Sequence, residues 1–334
     1  MTTDFIADRL SRIKPSPTMA MTRIADEKKA AGENIIGLAA GEPDFDTPLH
    51  IRKAACDAMD AGKTKYTTVD GVPELKDAVI AKFSTDNNIT YERENITIAT
   101  GGKQVLFNAL MATVNAGDEV IIPAPYWVSY PEIVRLAQGV PVILSCAEDD
   151  NFKLTPDVLA AAITPQSKWL ILNSPSNPGG VGYDADDLMA FAAVMRRHPQ
   201  LHLISDDIYE HLVYDGFEFC TIADVEPRLK DRTLTVNGAS KTYAMTGWRI
   251  GFCGGPKALI KGMMNMQGQA TAGVSTISQA AVAAALDGPQ ELVRERAEEY
   301  RQRRDLVVEM LNAAPGISCH KPEGAFYVFP NIAG

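Results

Sequence analysis

The chain has 334 residues, enough for one large α/β domain and a smaller one. Its 32 basic against 42 acidic residues leave a net charge of −10, which argues against a nucleic-acid face or a binder of anionic membranes. No apolar run approaches the ~20 residues that span a bilayer, and the polar start MTTDFIADRL is not a secretory signal. The five cysteines (Cys56, Cys146, Cys220, Cys253, Cys319) lie far apart without a CxxC, and the five histidines form no HxH pair. Neither a disulfide framework nor a metal site is expected, and a reducing cytoplasm is the expected location.

In chain order, residues 1–48 read as an N-terminal arm. A short helical segment, Asp4–Arg12, precedes Pro15 and Pro17, and a second helix covers Met19–Ala31 with Gly32 placed to end it. Ile35–Ala40 reads as an apolar strand that breaks at Gly41-Glu42-Pro43, a turn where backbone can approach a ligand or simply leave a sheet. Residues 50–61 form an amphipathic helix closed by Gly62. The loop Lys65-Tyr66-Thr67-Thr68-Val69-Asp70-Gly71 follows, and a further helix begins at Pro73. The strand Ile96–Ala99 runs into Thr100-Gly101-Gly102-Lys103 and then an apolar helix. That is the local build of an anion site, although a tight turn would look the same. GxGxxG and GxxxxGK[ST] are both missing, so neither a Rossmann nor a P-loop reading has support.

The strand Glu119–Ile122 ends at Pro123-Ala124-Pro125-Tyr126-Trp127, where the tryptophan could stack on an aromatic ring or pack on the core. Val140–Leu144 and Trp169–Asn173 are further strands, with a helix from about Thr155 to Ala162 between them. In Asn173-Ser174-Pro175-Ser176-Asn177-Pro178-Gly179-Gly180 the proline holds Asn177 extended, so its amide is presented outward. Leu201–Ser205 is a buried strand ending in Asp206-Asp207-Ile208-Tyr209. A carboxylate at that place is costly without a cationic partner, unless it caps a helix. The strand Thr233–Val236 leads through small residues to Lys241, which partial desolvation could make a Schiff-base former. Arg249 then offers a planar fork of donors to a phosphate, ahead of Ile250-Gly251-Phe252. Helices Pro256–Gly268, Ile277–Leu286 and Pro289–Ala313 follow, and Pro322–Phe329 reads as a strand.

Taken together, GEPDF, the YT loop, TGGKQ, PYW, the Asn-Pro step, D-x-x-Y and SKTYAMTGWRIGF resemble, in this order, the class I aminotransferases, the fold-type I pyridoxal-phosphate enzymes. The resemblance implies an α/β fold: a large cofactor-binding domain with a mostly parallel sheet flanked by helices, and a smaller α/β domain. The division it suggests is an arm and part of the small domain at 1–48, the large domain at 49–288, and a linking helix with small-domain residues at 289–334. It further implies pyridoxal 5'-phosphate held as a Schiff base on Lys241, with Asp206 at the ring nitrogen and Asn177 and Tyr209 at the phenolic oxygen. Trp127 would stack on the ring. Gly101, Gly102, Lys103, Arg249 and the Tyr66 of a partner subunit would surround the phosphate, and Gly41, Trp127 and Asn177 would meet the substrate.

The segments are most similar to the bacterial aspartate aminotransferase branch, some members of which accept prephenate. Aspartate with 2-oxoglutarate is the expected substrate pair, the assembly a homodimer with shared sites, and Arg12 a candidate clamp for a second substrate carboxylate. Two features depart from the family. NPGG stands where NPTG is usual, and Gly238 stands three before the lysine, where many members carry a hydroxyl that backbone or Ser240 would have to replace. Members also continue beyond this point and carry a further arginine on the substrate α-carboxylate. No arginine follows Arg304 here, so the small domain is expected to be incomplete. Another reaction of the same cofactor (β-elimination or a ring-forming synthesis) or a catalytically impaired cofactor-binding chain are the competing readings.

Overall fold

A computed structural model describes residues 5–333. After a 3-10 turn at Asp8–Arg12 come α1 (Pro17–Ala30), α2 (Leu49–Asp60) and α3 (Pro73–Asn87). The large central region alternates strand and helix: β1 (Ile96–Ala99), α4 (Gly102–Thr113), β2 (Glu119–Ala124), α5 (Ser129–Leu136), β3 (Val140–Ser145), α6 (Pro156–Ala162), β4 (Ser167–Asn173), α7 (Ala185–Arg197) and β5 (His202–Asp206). It continues with the short α8 (Ile222–Val225), β6 (Thr233–Gly238) and β7 (Gly251–Gly254), followed by three helices, α9 (Lys257–Ala270), α10 (Thr276–Leu286) and α11 (Glu291–Ala313). No helix among the described residues is long and apolar enough to cross a membrane.

The strands form one seven-stranded sheet in the order β1-β7-β6-β5-β4-β2-β3. The pairs β2–β3, β2–β4, β4–β5 and β5–β6 are parallel, while β7 runs antiparallel to both β6 and β1. Parallel strands are covered on both faces, and their sequences show it as unbroken apolar runs. Along β4, Trp169 and Ile171 enter one core with α4, α5 and α9, while Leu170 and Leu172 enter the opposite core with α7. Ile204 and Leu203 of β5 divide the same way, as the two-residue strand period requires. A third core packs α2, α3 and α10 on β1 and β7 through Ile51, Leu75, Phe83, Ile98 and Phe252. Each such side chain contributes about 1.5–3 kcal/mol on burial.

Punctuation residues set the helix limits. Ser16 Oγ accepts from Met19 N at 3.4 Å and Pro17 takes the first turn, so α1 starts two residues earlier than expected. Asp4 lies outside the described residues, and the rest of the expected first helix is the 3-10 turn at Asp8–Arg12, stopped short of Pro15.

Two expected strands are corrected. Residues 35–41 are extended but unpaired, with Ile36 82 % and Leu38 92 % exposed, because no strand among the described residues lies alongside to complete their hydrogen bonds. The stretch from Pro322 to Phe329 forms no strand: it carries one isolated bridge, Val213 with Gly324, and its other backbone bonds go to the loops at Gly180, Leu212 and Tyr214.

The direction of β7 decides where the candidate residues meet. Gly101, Asn177, Asp206 and Lys241 lie at or just past the carboxyl ends of strands that run in one direction, and Arg249 precedes β7, which runs the other way, so all five sit at the same end of the sheet. The approach of β7 to the start of α4 is close: a methyl on Gly251 would stand 2.3 Å from the Gly102 amide nitrogen. Gly251→Ala should therefore lower stability by about 2–3 kcal/mol through overpacking against backbone that cannot yield. Urea unfolding checks it, and an unchanged midpoint would contradict this packing.

Candidate active site

Lys241 lies a short turn beyond β6, its amine largely removed from water. Its Nζ donates to the Gly41 carbonyl oxygen at 2.5 Å and lies 5.9 and 5.7 Å from the ring centroids of Tyr209 and Phe326. Burial drives its pKa down to about 8. Glu42 opposes that shift, Arg249 adds to it, and Asp206 opposes it. Near neutral pH this amine therefore has a usable fraction of free base, unlike a surface lysine.

Asp206 closes β5 and is buried. Tyr130 OH donates to its Oδ2 at 2.6 Å. Burial lifts its pKa to about 6 against three opposing influences: the Tyr130 hydrogen bond, the Ile208 amide and the charge of Lys241. Asp207 turns elsewhere, accepting from Ser205 Oγ at 2.7 Å. Asn173 ties the neighbouring loop to this strand end, since its Nδ2 donates to the Asp206 carbonyl at 2.7 Å while its Oδ1 accepts from Asn177 N at 2.7 Å. The Asn177 side chain reaches the Tyr209 hydroxyl, which lies 2.6 Å from the Tyr327 hydroxyl.

On the other side of the edge, α4 opens at Gly102 with no side-chain cap, leaving first-turn amides for an anion. Gly101 has φ +86°, and a methyl there would stand 2.2 Å from Arg249 Nη2, so glycine is required twice over. Arg249, itself at φ +57°, is steadied by its Nη1 donating to Thr246 O at 2.7 Å. Lys103 Nζ lies 5.0 Å from the Trp127 ring centroid, and Trp127 meets Tyr130 edge-on with centroids 5.3 Å apart. Burial, then the charge of Arg249, lower the Lys103 pKa. At Gly238 a side chain would be crowded, since a methyl would stand 3.1 Å from Ile250 O and 3.2 Å from Ile208 Cδ1.

The structure thus brings together Gly41, Asn177, Asp206, Tyr209 and Lys241, and beside them Gly101, Gly102, Lys103, Trp127 and Arg249. Two candidates stay apart. Tyr66 is 99 % exposed, and Arg12 is exposed on the 3-10 turn that packs against α5. Two residues that sequence reasoning did not assign enter the site: Tyr130, one helical turn past Trp127, and Tyr327. A third unassigned group, just behind Tyr209, is a buried ion-pair cluster. Lys82 contacts Glu210, Asn87 Nδ2 donates to Glu210 Oε2 at 2.7 Å, and His211 Nε2 lies 3.2 Å from Glu210 Oε1. Burial works against the Glu210 charge, but Lys82 and His211 outweigh it and hold the carboxylate well below its usual range. Asp86, Glu210 and His211 have donor atoms within 4.8 Å of one another, yet the Lys82 ammonium already occupies Glu210, which disfavours a metal ion there.

A fold with this edge and this lysine is that of a fold-type I α/β transferase. The chain belongs to the aminotransferases of class I and II, whose family model matches residues 33–334. It is 56 % identical over 330 residues to the aspartate/prephenate aminotransferase of Cereibacter sphaeroides, covering 99 % of this chain and 82 % of that one. With the aspartate aminotransferase of Rhizobium meliloti it shares 55 % identity over 328 residues, 98 % of this chain and 80 % of that one. A crystal structure of the Rhizobium meliloti aspartate aminotransferase superposes with TM-score 0.96 at 54 % identity, covering 98 % of this chain and 82 % of that one. The Thermus thermophilus aspartate aminotransferase with maleate gives TM-score 0.92 at 44 % identity, covering 97 % and 84 %. The chain is accordingly an enzyme of amino-group transfer.

The Lys241 environment yields a pH prediction. Only the free amine is nucleophilic, so the rate of covalent attachment of a small aldehyde to Lys241 should rise with pH and level off above an inflection near 8. Because Glu42 favours the charged amine, Glu42→Gln should move that inflection to lower pH. Stopped-flow absorbance across pH measures both, and an inflection near the ordinary lysine value would contradict the burial described.

Proposed function

We propose that this chain transfers the amino group of aspartate to 2-oxoglutarate using pyridoxal 5'-phosphate carried on Lys241, with prephenate as a further acceptor. The observation that carries the reading is the pairing of a buried, cation-seeking Asp206 with a half-buried lysine whose pKa is lowered to about 8. The residues present fit the cofactor. A protonated ring nitrogen would supply the positive partner that Asp206 otherwise lacks. The glycine cradle at Gly101 and Gly102, the open start of α4 and the Arg249 guanidinium suit a phosphate. Trp127 would cover the ring, Asn177 and Tyr209 would hold its phenolic oxygen, and Lys103 would stand at the rim.

When bound, the cofactor supplies an electron sink for negative charge at the substrate α-carbon. The chain's own residues do the remaining work. Lys241 Nζ, as free base, takes the α-proton and later returns one. Asp206 stays ionised opposite a cation, and Tyr130 fixes its Oδ2. Burial of Tyr209, Asp206 and Lys241 keeps bulk water from the proton in transit.

Aspartate is favoured because relatives more than half identical over nearly the whole chain bear that substrate in their names, and the Thermus relative was solved with maleate, also a dicarboxylate. Gly41 and Asn177 would meet the α-carboxylate and Arg12 the second one. A homodimer is part of the reading: Tyr66, 99 % exposed in this chain, would serve a partner's phosphate site rather than its own.

One experiment tests these assignments together. The purified chain is mixed with pyridoxal phosphate and followed by absorption, then reduced with borohydride and mapped by mass spectrometry. The expected result is a reducible band that leaves its mass on Lys241, is missing in Lys241→Ala, and shifts on adding aspartate. In steady-state assays Arg12→Ala should raise KM for aspartate and spare alanine. Failure of the band to form, or a band that ignores aspartate while answering other amino acids, would overturn the reading.

A further inference from the structure

Residues 322–327 close over the two loops that carry Asn177 and Tyr209. Gly324 N donates to Gly180 O at 2.9 Å, Ala325 N to Leu212 O at 2.8 Å, and Tyr214 N to Glu323 O at 2.9 Å. This junction has no slack. A methyl on Gly324 would stand 2.6 Å from Leu212 O, and one on Gly180, at φ +66°, would stand 2.6 Å from Gly324 O. The backbone that bears Tyr327 is therefore pinned from both sides. Its ring meets Tyr209 edge-on with centroids 5.6 Å apart, and its hydroxyl lies 2.6 Å from that of Tyr209. The Tyr327 hydroxyl also fills the space over Gly41, where a methyl would stand 2.4 Å from it.

A phenol has one proton to give and lone pairs to fill. Burial, then the Tyr327 neighbour, hold the Tyr209 ionisation well above its usual value, and burial pushes Tyr327 up to about 12, so both keep their protons at neutral pH. Two neutral hydroxyls at 2.6 Å share one hydrogen bond, and either can be its donor. An acceptor bound above Lys241 removes that ambiguity. Once Tyr209 turns its proton to the acceptor, its own oxygen must accept, and Tyr327 is the hydroxyl placed to donate.

We propose that Tyr327 is a positioning residue whose hydroxyl donates to Tyr209 and so fixes the Tyr209 proton on the phenolic oxygen of the bound cofactor. The inference rests on the function proposed above and deepens it. Hydrogen bonds in a chain polarise one another, so the Tyr327 donation also strengthens the one Tyr209 makes. Because Tyr327 rises from the junction of the Asn177 and Tyr209 loops, it ties the donor strength at that oxygen to the closure of residues 322–327.

Tyr327→Phe, Tyr209→Phe and the double variant, each reconstituted with pyridoxal phosphate, test this. The readouts are the pH midpoint of the Lys241-dependent absorption band, the Kd for the cofactor, and the Tm of the cofactor-free chains. Weaker donation leaves more negative charge on the phenolic oxygen, which then holds the proton shared with Lys241 Nζ more tightly. Tyr327→Phe should thus move the midpoint upward by roughly 0.2–0.6 pH units, the size set by losing cooperative strengthening of ~10–30 % in a charged hydrogen bond. Tyr209→Phe should move it further the same way, and the double variant should match Tyr209→Phe alone, since Tyr327 acts through Tyr209. An unmoved midpoint in Tyr327→Phe, with or without a lower Tm, overturns the assignment, as do shifts that add in the double variant. A wild-type chain that forms no Lys241-dependent band is a separate outcome, read before any variant, and overturns the proposed function together with this inference.

Discussion

A carboxylate at the buried end of a central strand is the constraint on which this structure turns. Asp206 cannot be replaced by an apolar residue without losing the Tyr130 bond, and it cannot rest comfortably as an anion, since burial lifts its pKa to about 6 even against the Tyr130 bond, the Ile208 amide and the charge of Lys241. Its uncompensated charge makes the site receptive to a cation at that point. The neighbouring amine has the converse character: Lys241, driven down to about 8, gives up its proton readily. Two groups each moved toward its own neutral form across one strand edge are the electrostatic arrangement that the proposed proton transfer needs.

The sheet exists to hold that edge in register. Its parallel strands deliver Asn177, Asp206 and Lys241 to one side, and a single reversal at β7 returns Arg249 to the same side, over the glycine turn at the start of α4. Glycines at 101 and 251 permit this close approach of backbone to backbone and guanidinium, so the proposed anion side of the site is as much a packing result as an electrostatic one. Behind the site, the buried Lys82–Glu210–His211 cluster braces the turn bearing Tyr209, and breaking such a pair typically costs about 3–5 kcal/mol.

Much of this could be read from the residues alone. Apolar runs ended by Gly-Gly, Asn-Pro or Asp-Asp mark strands and their exits, and the proline at position 73 marks a helix start, because those signals are local. What stayed hidden depends on partners distant in sequence. Tyr130 finds Asp206 across 76 positions and Tyr327 finds Tyr209 across 118, and no periodicity encodes either meeting. Residues 35–41 misled for the same reason: their apolar pattern suits a strand, but a strand needs a neighbour, and pattern does not supply one. Tyr66 and Arg12 carry family signals that this chain by itself does not bring to the lysine.

Thermal unfolding of wild type and Asp206→Asn at pH 8, with and without pyridoxal phosphate, tests whether Asp206 is the partner of a bound cation, as proposed. Binding to the folded state raises Tm in proportion to affinity. Wild type should gain markedly from the cofactor, while Asp206→Asn should lose most of that gain without any fall in the Tm of its cofactor-free form. A variant that keeps the full gain would contradict that pairing.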